Sequence, residues 1–111
     1  MRDDRSLRTL LLATATVTEK NVTVTNPLGV HARPSAMIVQ TASKFRCEVS
    51  LIKDGNLVNA KSMLGVMTLA AEMGSVVTIR AHGSDEEKAV EALVRVFEMR
   101  FGERGSRISS Y

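Results

Sequence analysis

Stretches in which hydrophobic residues recur at every second position alternate along this chain with stretches of helical period. The two-residue period is typical of half-buried β-strands. It occurs at 21–25 and 47–51, while 57–60 is predicted to be a short return strand and 76–81 a fourth strand. The spacing of an amphipathic helix occurs at about 32–44, from 62 onward and at 84–101. The resulting order, β-α-β-β-α-β-α, predicts an α+β fold: one four-stranded antiparallel sheet with three helices on a single face.

Turn and capping residues mark where these elements begin and end. Pro34 falls in the first turn of the first helix, where a missing N–H is tolerated. Residues 53–56, with the sequence Lys-Asp-Gly-Asn, predict a hairpin turn between the second and third strands. Gly74 is placed to end the second helix. Ser84 and Glu87 have the spacing of a capping box at the start of the third helix.

The two later helices each have a predicted buried face. In the second helix, which we expect to begin at Ser62, an i, i+3, i+4, i+7 spacing selects Leu64, Met67, Thr68 and Ala71. In the third helix, the apolar face comprises Val90, Leu93, Val94, Phe97 and Phe101.

A length of 111 residues with 44% hydrophobic content fits one domain with a modest core. We expect this domain at 20–101, with a flexible extension at 1–19 and a flexible tail at 102–111. The longest apolar runs have four residues, whereas a membrane-spanning helix needs about 20, so no membrane insertion is predicted. The apolar run near the N-terminus is also too short for an export signal, and a single cysteine excludes an intramolecular disulfide framework. We therefore expect a cytoplasmic protein.

Charge and composition argue against nucleic-acid and metal binding. The net charge is +3, but residues 20–99 account for only +1 of it. Aromatic residues make up 4% of the chain and tryptophan is absent, so stacking platforms for bases are scarce. Two histidines and one cysteine offer little for a metal site. We expect Cys47 to be a small hydrophobic residue on a strand and His82 an exposed loop histidine.

The stretch that carries chemistry is the junction between the first strand and the first helix. His31 precedes a helix whose N-terminus has unpaired N–H groups and about half a positive charge, which keeps an imidazole neutral and nucleophilic. Arg33 adds a guanidinium suited to phosphate oxygens. The backbone N–H groups of Ala32 and Ser35 are predicted to contribute donors to the same anion. This layout suits reversible phosphoryl transfer to His31, although a histidine that merely caps a helix fits the same pattern.

Two runs resemble one known family. Gly29-Val30-His31-Ala32-Arg33-Pro34 resembles the active-site signature of HPr, the histidine-containing phosphocarrier of the phosphoenolpyruvate-dependent phosphotransferase system. Lys61-Ser62-Met63-Leu64-Gly65-Val66-Met67-Thr68-Leu69 resembles the regulatory-serine segment of that family. The resemblance spans about 20–101 and implies the family's open-faced β-sandwich.

The resemblance also implies a function. His31 would accept a phosphoryl group on Nδ1 from phospho-Enzyme I and pass it to Enzyme IIA domains in sugar uptake, with Arg33 orienting the phosphate. Nothing in the sequence itself discriminates between the two ring nitrogens. The protein would act as a carrier rather than an enzyme with turnover of its own, and no metal or organic cofactor is implied.

The second run implies a regulatory site and a docking surface. Ser62 matches the serine that HPr kinase/phosphorylase phosphorylates, although a simple helix cap explains a serine there equally well. Met63, Leu64 and Met67 match a hydrophobic patch that docks partner proteins, and thioethers adapt to several partners. A core position is the alternative, above all for Leu64. A phosphate on Ser62 is predicted to slow transfer to His31 without unfolding the domain.

Two other functions compete with the carrier. One is a regulatory protein of the same fold that signals through Ser62 or through nitrogen-type phosphotransfer, without sugar uptake. Retention of His31 argues against a regulator that uses the serine alone. The other is a small acylphosphatase-like enzyme, which would hydrolyse acyl phosphate unaided. The glycine-arginine loop that such an enzyme carries near its first strand is missing here.

Overall fold

The computed structural model describes residues 17–103, and its elements follow the predicted order. They are β1 (Thr18–Thr23), α1 (Ala32–Ala42), β2 (Glu48–Lys53), β3 (Asn56–Asn59), α2 (Met63–Thr68), β4 (Val76–His82) and α3 (Glu86–Glu98), followed by a 3-10 turn at Arg100–Gly102. The β-α-β-β-α-β-α prediction is confirmed. Within residues 17–103, no helix combines the length and hydrophobicity that crossing a membrane requires.

The four strands form one antiparallel sheet in the order β1-β4-β2-β3. Alternate residues of each strand point to one face, as the two-residue period predicts. Leu51 and Ile79 pair across the centre of the sheet, and both are buried beneath the helices. The predicted antiparallel α+β fold with three helices is therefore confirmed. The hairpin turn is confirmed as well, with Asp54 and Gly55 both at positive φ.

The second helix is shorter than predicted, and its predicted buried face is wrong at three of four positions, Ala71 alone being buried. It ends at Thr68, well before Gly74, and Ala70 adopts a left-handed conformation at φ 52°. The Lys53 ammonium group donates hydrogen bonds to the carbonyl oxygens of residues 69 and 70 and so satisfies this end. In so short a helix, only Val66 is buried. Three of the four residues of the predicted face are exposed, and these are Leu64, Met67 and Thr68.

The third helix begins one residue later than predicted, and the Ser84–Glu87 capping box is wrong. The N-cap residue is Asp85, whose carboxylate accepts the backbone N–H groups of Arg46 and Cys47. The hydrogen bond from the Arg46 N–H, followed by contacts with Cys47, holds the pKa of Asp85 below its ordinary value. The next residue, Glu86, reaches back to the N–H of Gly83. The predicted apolar face is confirmed at Val90, Leu93, Phe97 and Phe101, which are buried, while Val94 is half-buried.

A tight turn after α3 reverses the chain. Arg100, Phe101 and Gly102 have φ angles of 54°, 56° and 78°, a left-handed run that two non-glycine residues adopt only when their surroundings impose it. The Phe101 ring is buried and packs edge-on against Phe97, with 5.0 Å between ring centroids. The turn directs Glu103 back onto the domain.

Gly102 and Glu103, the first two residues of the predicted tail, belong to this turn, and Glu103 contacts the domain because a buried ring anchors the turn before it. Strand β1 also begins earlier than its predicted start at 21, because pairing with β4 extends back to Thr18. The flexibility predicted for 1–16 and 104–111 lies outside the described residues.

Candidate functional site

The loop between β1 and α1 places His31 at the N-cap of α1. Gly29 turns the loop at φ +68° and packs so closely that a Cβ there would lie 2.5 Å from the carbonyl oxygen of Ala71. The N–H of Val30 donates to the same carbonyl oxygen at 2.8 Å. The loop is therefore held against the segment that follows α2, which fixes where His31 emerges.

The imidazole of His31 is half-buried and hydrogen-bonded on one nitrogen. Its side chain is 37% exposed, and its Nε2 lies 2.8 Å from Oε2 of Glu103. Among the residues that the structure describes, Nδ1 makes no hydrogen bond. The ring thus offers one nitrogen for chemistry and uses the other to fix its orientation.

Glu103 is itself held by Asn26. The fully buried amide of Asn26 donates through Nδ2 to Oε1 of Glu103 at 2.9 Å and to the carbonyl oxygen of Gly29 at 2.8 Å. Burial acts to raise the pKa of Glu103, but the hydrogen bonds from Asn26 and His31 and the charge of Arg33 outweigh burial and hold that pKa below its ordinary value. Glu103 is therefore a carboxylate at neutral pH.

The N-terminus of α1 supplies donors and charge beside the ring. In a helix, the first N–H groups have no acceptor within the helix, and here these include Ala32 and Arg33. Arg33 is exposed and forms no salt bridge with any residue in 17–103. The prediction that the Ser35 N–H is free to bind a phosphate is wrong. This N–H donates to the carbonyl oxygen of His31 at 2.9 Å, because residue 35 already completes the first helical turn.

Two buried polar atoms in the first turn and the loop have no hydrogen-bond partner within the described residues. They are Oδ1 of Asn26 and Oγ of Ser35. The Asn26 amide cannot be reversed to bury its nitrogen instead, because Oδ1 would then face a carboxylate and a carbonyl oxygen. The loop therefore orients this amide toward Glu103 at the expense of its own acceptor.

Ser62 is the N-cap residue of α2, as predicted. Its Oγ accepts the N–H of Gly65 at 3.0 Å, and the residue is partly exposed. The hydrophobic side chains that follow it are exposed: Leu64 at 74%, Met67 at 44% and Met63 at 37%. The alternative that Leu64 belongs to the core is therefore wrong. These three residues form an apolar surface, which we call the α2 patch.

The remaining candidates behave as structural residues. Cys47 is buried just before β2, and burial with a hydrogen bond to Asp85 raises the pKa of its thiol to about 11. A thiol with that pKa stays protonated at neutral pH and is a poor nucleophile. His82 is exposed at the end of β4. Between residues 17 and 103, no three His, Cys, Asp or Glu side chains are grouped so that they could hold a metal ion.

Sequence reasoning missed Asn26 and Glu103. Asn26 lies directly before Pro27 at the end of a strand, where an asparagine indicates a turn and nothing more. Glu103 follows a glycine at a helix end, a position at which nothing in the sequence gives the direction of the chain beyond. Their roles emerge only when the two ends of the domain are brought together.

Comparisons with known proteins point to one family. A family model described as the PTS HPr component phosphorylation site matches residues 18–99. Phosphocarrier protein HPr of Xylella fastidiosa (strain Temecula1) is 52% identical over 85 residues, which cover 77% of this chain and 96% of that protein. HPr-like protein Crh of Halalkalibacterium halodurans is 46% identical over 80 residues, covering 72% and 95%.

Solved structures show the same likeness. A crystal structure of HPr from Thermoanaerobacter tengcongensis matches with a TM-score of 0.76 and 47% identity, covering 78% of this chain and 98% of that one. The matched region contains both runs on which the resemblance was first based. These findings favour a phosphocarrier over the acylphosphatase-like alternative. The chain belongs to the HPr family of phosphocarrier proteins of the phosphotransferase system.

Proposed function

We propose that His31 accepts a phosphoryl group on Nδ1 from the phosphohistidine of Enzyme I and passes it to Enzyme IIA domains. The observation that supports this most directly is the state of the imidazole. It is partly exposed at the N-terminus of α1, its Nε2 is hydrogen-bonded, and its Nδ1 has no partner among the described residues. A nucleophile for phosphorus needs an accessible lone pair, and Nδ1 supplies it.

The surroundings of the ring suit the incoming charge. As Nδ1 bonds to phosphorus, the bond from phosphorus to the donor nitrogen breaks, and its electron pair stays with the donor. The transferred group carries negative charge on its oxygens throughout. The unpaired N–H groups of Ala32 and Arg33, the helix dipole and the Arg33 guanidinium all favour that charge beside His31.

The α2 patch is the proposed docking surface for these partner proteins. Met63, Leu64 and Met67 are exposed side by side on one short helix, and Leu28, in the loop that leads to His31, is also 74% exposed. Exposed apolar groups of this size favour protein contacts, and methionine side chains adjust to different partners. Donor and acceptor would bind in turn, because both must reach the same imidazole.

The test is intact-mass spectrometry after incubation with phosphoenolpyruvate, Mg²⁺ and Enzyme I. We expect one acid-labile phosphoryl adduct per chain. His31→Ala should abolish it completely, since the nucleophile is gone. His82→Ala is the matched control, because residue 82 is the only other histidine, and this variant should retain the adduct. An adduct that survives His31→Ala, or its absence from the wild-type protein, would contradict the proposal.

We further propose that Ser62 is a regulatory phosphorylation site, for a kinase of the HPr kinase/phosphorylase type. The hydroxyl is partly exposed and lies directly before the α2 patch. A phosphate there would add about two negative charges to a surface that partner proteins must cover. Covering that charge with an apolar or acidic partner surface is unfavourable because the charge loses its hydration.

Ser62→Asp is expected to slow phosphoryl transfer from Enzyme I by about tenfold, which corresponds to about 1.4 kcal/mol of lost docking or transition-state free energy. Ser62→Asn is the matched control, because asparagine has the same shape and caps a helix as well, without the charge. The rate of phosphoryl transfer from Enzyme I is measured for both variants at equal protein concentration, in assays quenched at successive times. Equal rates for the two variants would exclude an electrostatic effect at this position.

A regulatory role without sugar transport remains the alternative function. It shares the chemistry at His31 and differs only in the acceptor. Offering the phosphorylated protein to Enzyme IIA domains of the sugar and nitrogen branches separates the two: the branch that receives the group fastest identifies the role. The presence of His31 favours a carrier over a regulator that uses Ser62 alone.

A further inference from the structure

The contact between His31 and Glu103 requires a proton on one particular nitrogen. Nε2 of His31 and Oε2 of Glu103 are 2.8 Å apart, and two lone pairs cannot share that distance. Glu103 is ionised, because the hydrogen bonds from Asn26 and His31 and the charge of Arg33 stabilise its carboxylate. The carboxylate has no proton to give, so the proton belongs to Nε2. In the neutral ring, Nδ1 then carries the lone pair.

We propose that Glu103 is a positioning residue for phosphoryl transfer: it selects the tautomer of His31 with its proton on Nε2 and holds that proton in place after Nδ1 is phosphorylated. The inference rests on the carrier function proposed above and assigns it a residue from the opposite end of the domain. It also answers the question that the sequence left open, which is why one ring nitrogen would react and the other would not.

The carboxylate simplifies the chemical step. When the lone pair of Nδ1 forms the bond to phosphorus, the ring keeps its proton on Nε2 and gains a formal positive charge. The carboxylate of Glu103 opposes that charge at hydrogen-bond distance. When an acceptor later attacks phosphorus, the electron pair of the breaking N–P bond returns to Nδ1 and the ring leaves as neutral imidazole. No proton has to move in either direction.

The position of Glu103 is built into the fold. Asn26 holds the second carboxylate oxygen, and the N–H of Glu103 itself donates to the carbonyl oxygen of Arg100 at 2.8 Å. Arg100 in turn contacts Oγ1 of Thr25 through Nε at 3.4 Å. The left-handed turn at 100–102 therefore presents the carboxylate to the ring from a fixed direction. Side chains held in this way orient a reacting group with little loss of entropy.

The other charged residues on the described segments around this site are Arg33, Glu72 and Arg100. Arg33 on α1 is the nearest base in sequence, and its charge reaches Glu103. On the segment after α2, the backbone of Glu72 packs against Gly29, while its side chain is exposed. Within residues 17–103, Glu103 is the only acidic side chain that is hydrogen-bonded to the ring, so removing its charge takes away that counter-ion.

The first test needs no partner protein. Long-range ¹H–¹⁵N correlation spectra of the unphosphorylated protein, recorded where the ring is neutral, report which nitrogen carries the proton. We expect the wild-type protein to show the Nε2–H form, and Glu103→Ala to show a mixture of both forms. Glu103→Gln removes the charge but keeps an acceptor, so it should retain more of the Nε2–H form than Glu103→Ala does.

The second test uses the phosphorylated protein. The rate at which phospho-His31 hydrolyses is followed against pH in the wild-type protein, Glu103→Gln and Glu98→Gln. Glu98 is an exposed glutamate on α3 with no hydrogen bond or salt bridge to His31, so its variant loses the same charge without losing a contact to the ring. Loss of the carboxylate at 103 should move the profile to lower pH than that of Glu98→Gln, because the positive charge of the phosphorylated ring loses its counter-ion. Transfer from Enzyme I should slow by about tenfold in Glu103→Ala.

Each result has a distinct meaning. A wild-type tautomer in Glu103→Ala, or a hydrolysis profile in Glu103→Gln that coincides with that of Glu98→Gln, would overturn the role given to Glu103. If the wild-type protein forms no adduct with Enzyme I, the carrier function itself is wrong. The tautomer measurement still decides in that case whether Glu103 sets the proton position, so the two failures are distinguishable.

Discussion

Gly29→Ala is expected to destabilise the domain by about 2–5 kcal/mol, combining a penalty of 1–2 for left-handed backbone with 1–3 for overpacking. A methyl group on Gly29 would sit 2.5 Å from the carbonyl oxygen of Ala71 and 2.9 Å from Cα of Glu72. Both are backbone atoms, so the loop itself must move, and His31 would move with it. Urea unfolding measures the first effect, and phosphoryl transfer from Enzyme I, which should fall sharply, measures the second.

Gly55→Ala separates the two causes. Gly55 also has a positive φ, +81°, but a methyl group there would meet no atom within 4 Å. This variant should lose only about 1–2 kcal/mol from the left-handed backbone. It lies in the β2–β3 turn and not in the loop that carries His31, so transfer should stay at the wild-type rate. Equal stability losses in the two variants would show that the contact with Ala71 carries no energetic weight.

Phe101→Ala is expected to lower the free energy of unfolding by about 3–5 kcal/mol, the usual range for a buried phenylalanine. The ring is 1% exposed and packs against Phe97. Its loss should have a second effect, because the ring anchors the turn that presents Glu103. We therefore expect this variant to show mixed tautomers of His31, as Glu103→Ala does, under conditions in which it is still folded.

Leu93→Ala provides the comparison for Phe101→Ala. Leu93 is fully buried on α3, and its loss should lower the free energy of unfolding by about 2–5 kcal/mol. It does not belong to the turn, so the tautomer of His31 should remain that of the wild-type protein. Urea unfolding and the same NMR spectra are recorded for both variants. A wild-type tautomer in folded Phe101→Ala would show that Glu103 reaches the ring without this anchor.

The elements that could be predicted from the sequence are those in which the hydrophobicity of each residue indicates whether it is buried or exposed. Along β2 and the residue before it, Cys47, Val49 and Leu51 alternate with polar residues, and all three are buried. The reactive run around His31 could also be found, because a histidine before a helix start has the same local chemistry wherever the helix packs. Order of elements, sheet type and the central residue of the site follow from such local information.

The features that could not be predicted depend on partners distant in sequence. The carbonyl groups at the end of α2 accept hydrogen bonds from Lys53, which lies on β2. The spacing of hydrophobic residues after Ser62 therefore predicted a helix longer than the one that forms. Asp85 displaces Ser84 as N-cap because its carboxylate binds the backbone of residues 46 and 47. Glu103 meets His31 across a separation of 72 residues, after a turn in which non-glycine residues adopt left-handed conformations. No local pattern encodes such contacts.

The pairing of β1 with β4 has a consequence for biosynthesis. A ribosome delivers the chain from its N-terminus, so β1 emerges first and waits for β4, the last strand of the sheet to be made. The imidazole of His31 becomes oriented later still, because the carboxylate that orients it lies at residue 103. A nascent chain, or one terminated before residue 103, therefore contains His31 without the carboxylate that orients its ring. The ability to transfer a phosphoryl group should therefore appear in a single late step, when the segment that contains Glu103 packs against the loop that contains His31.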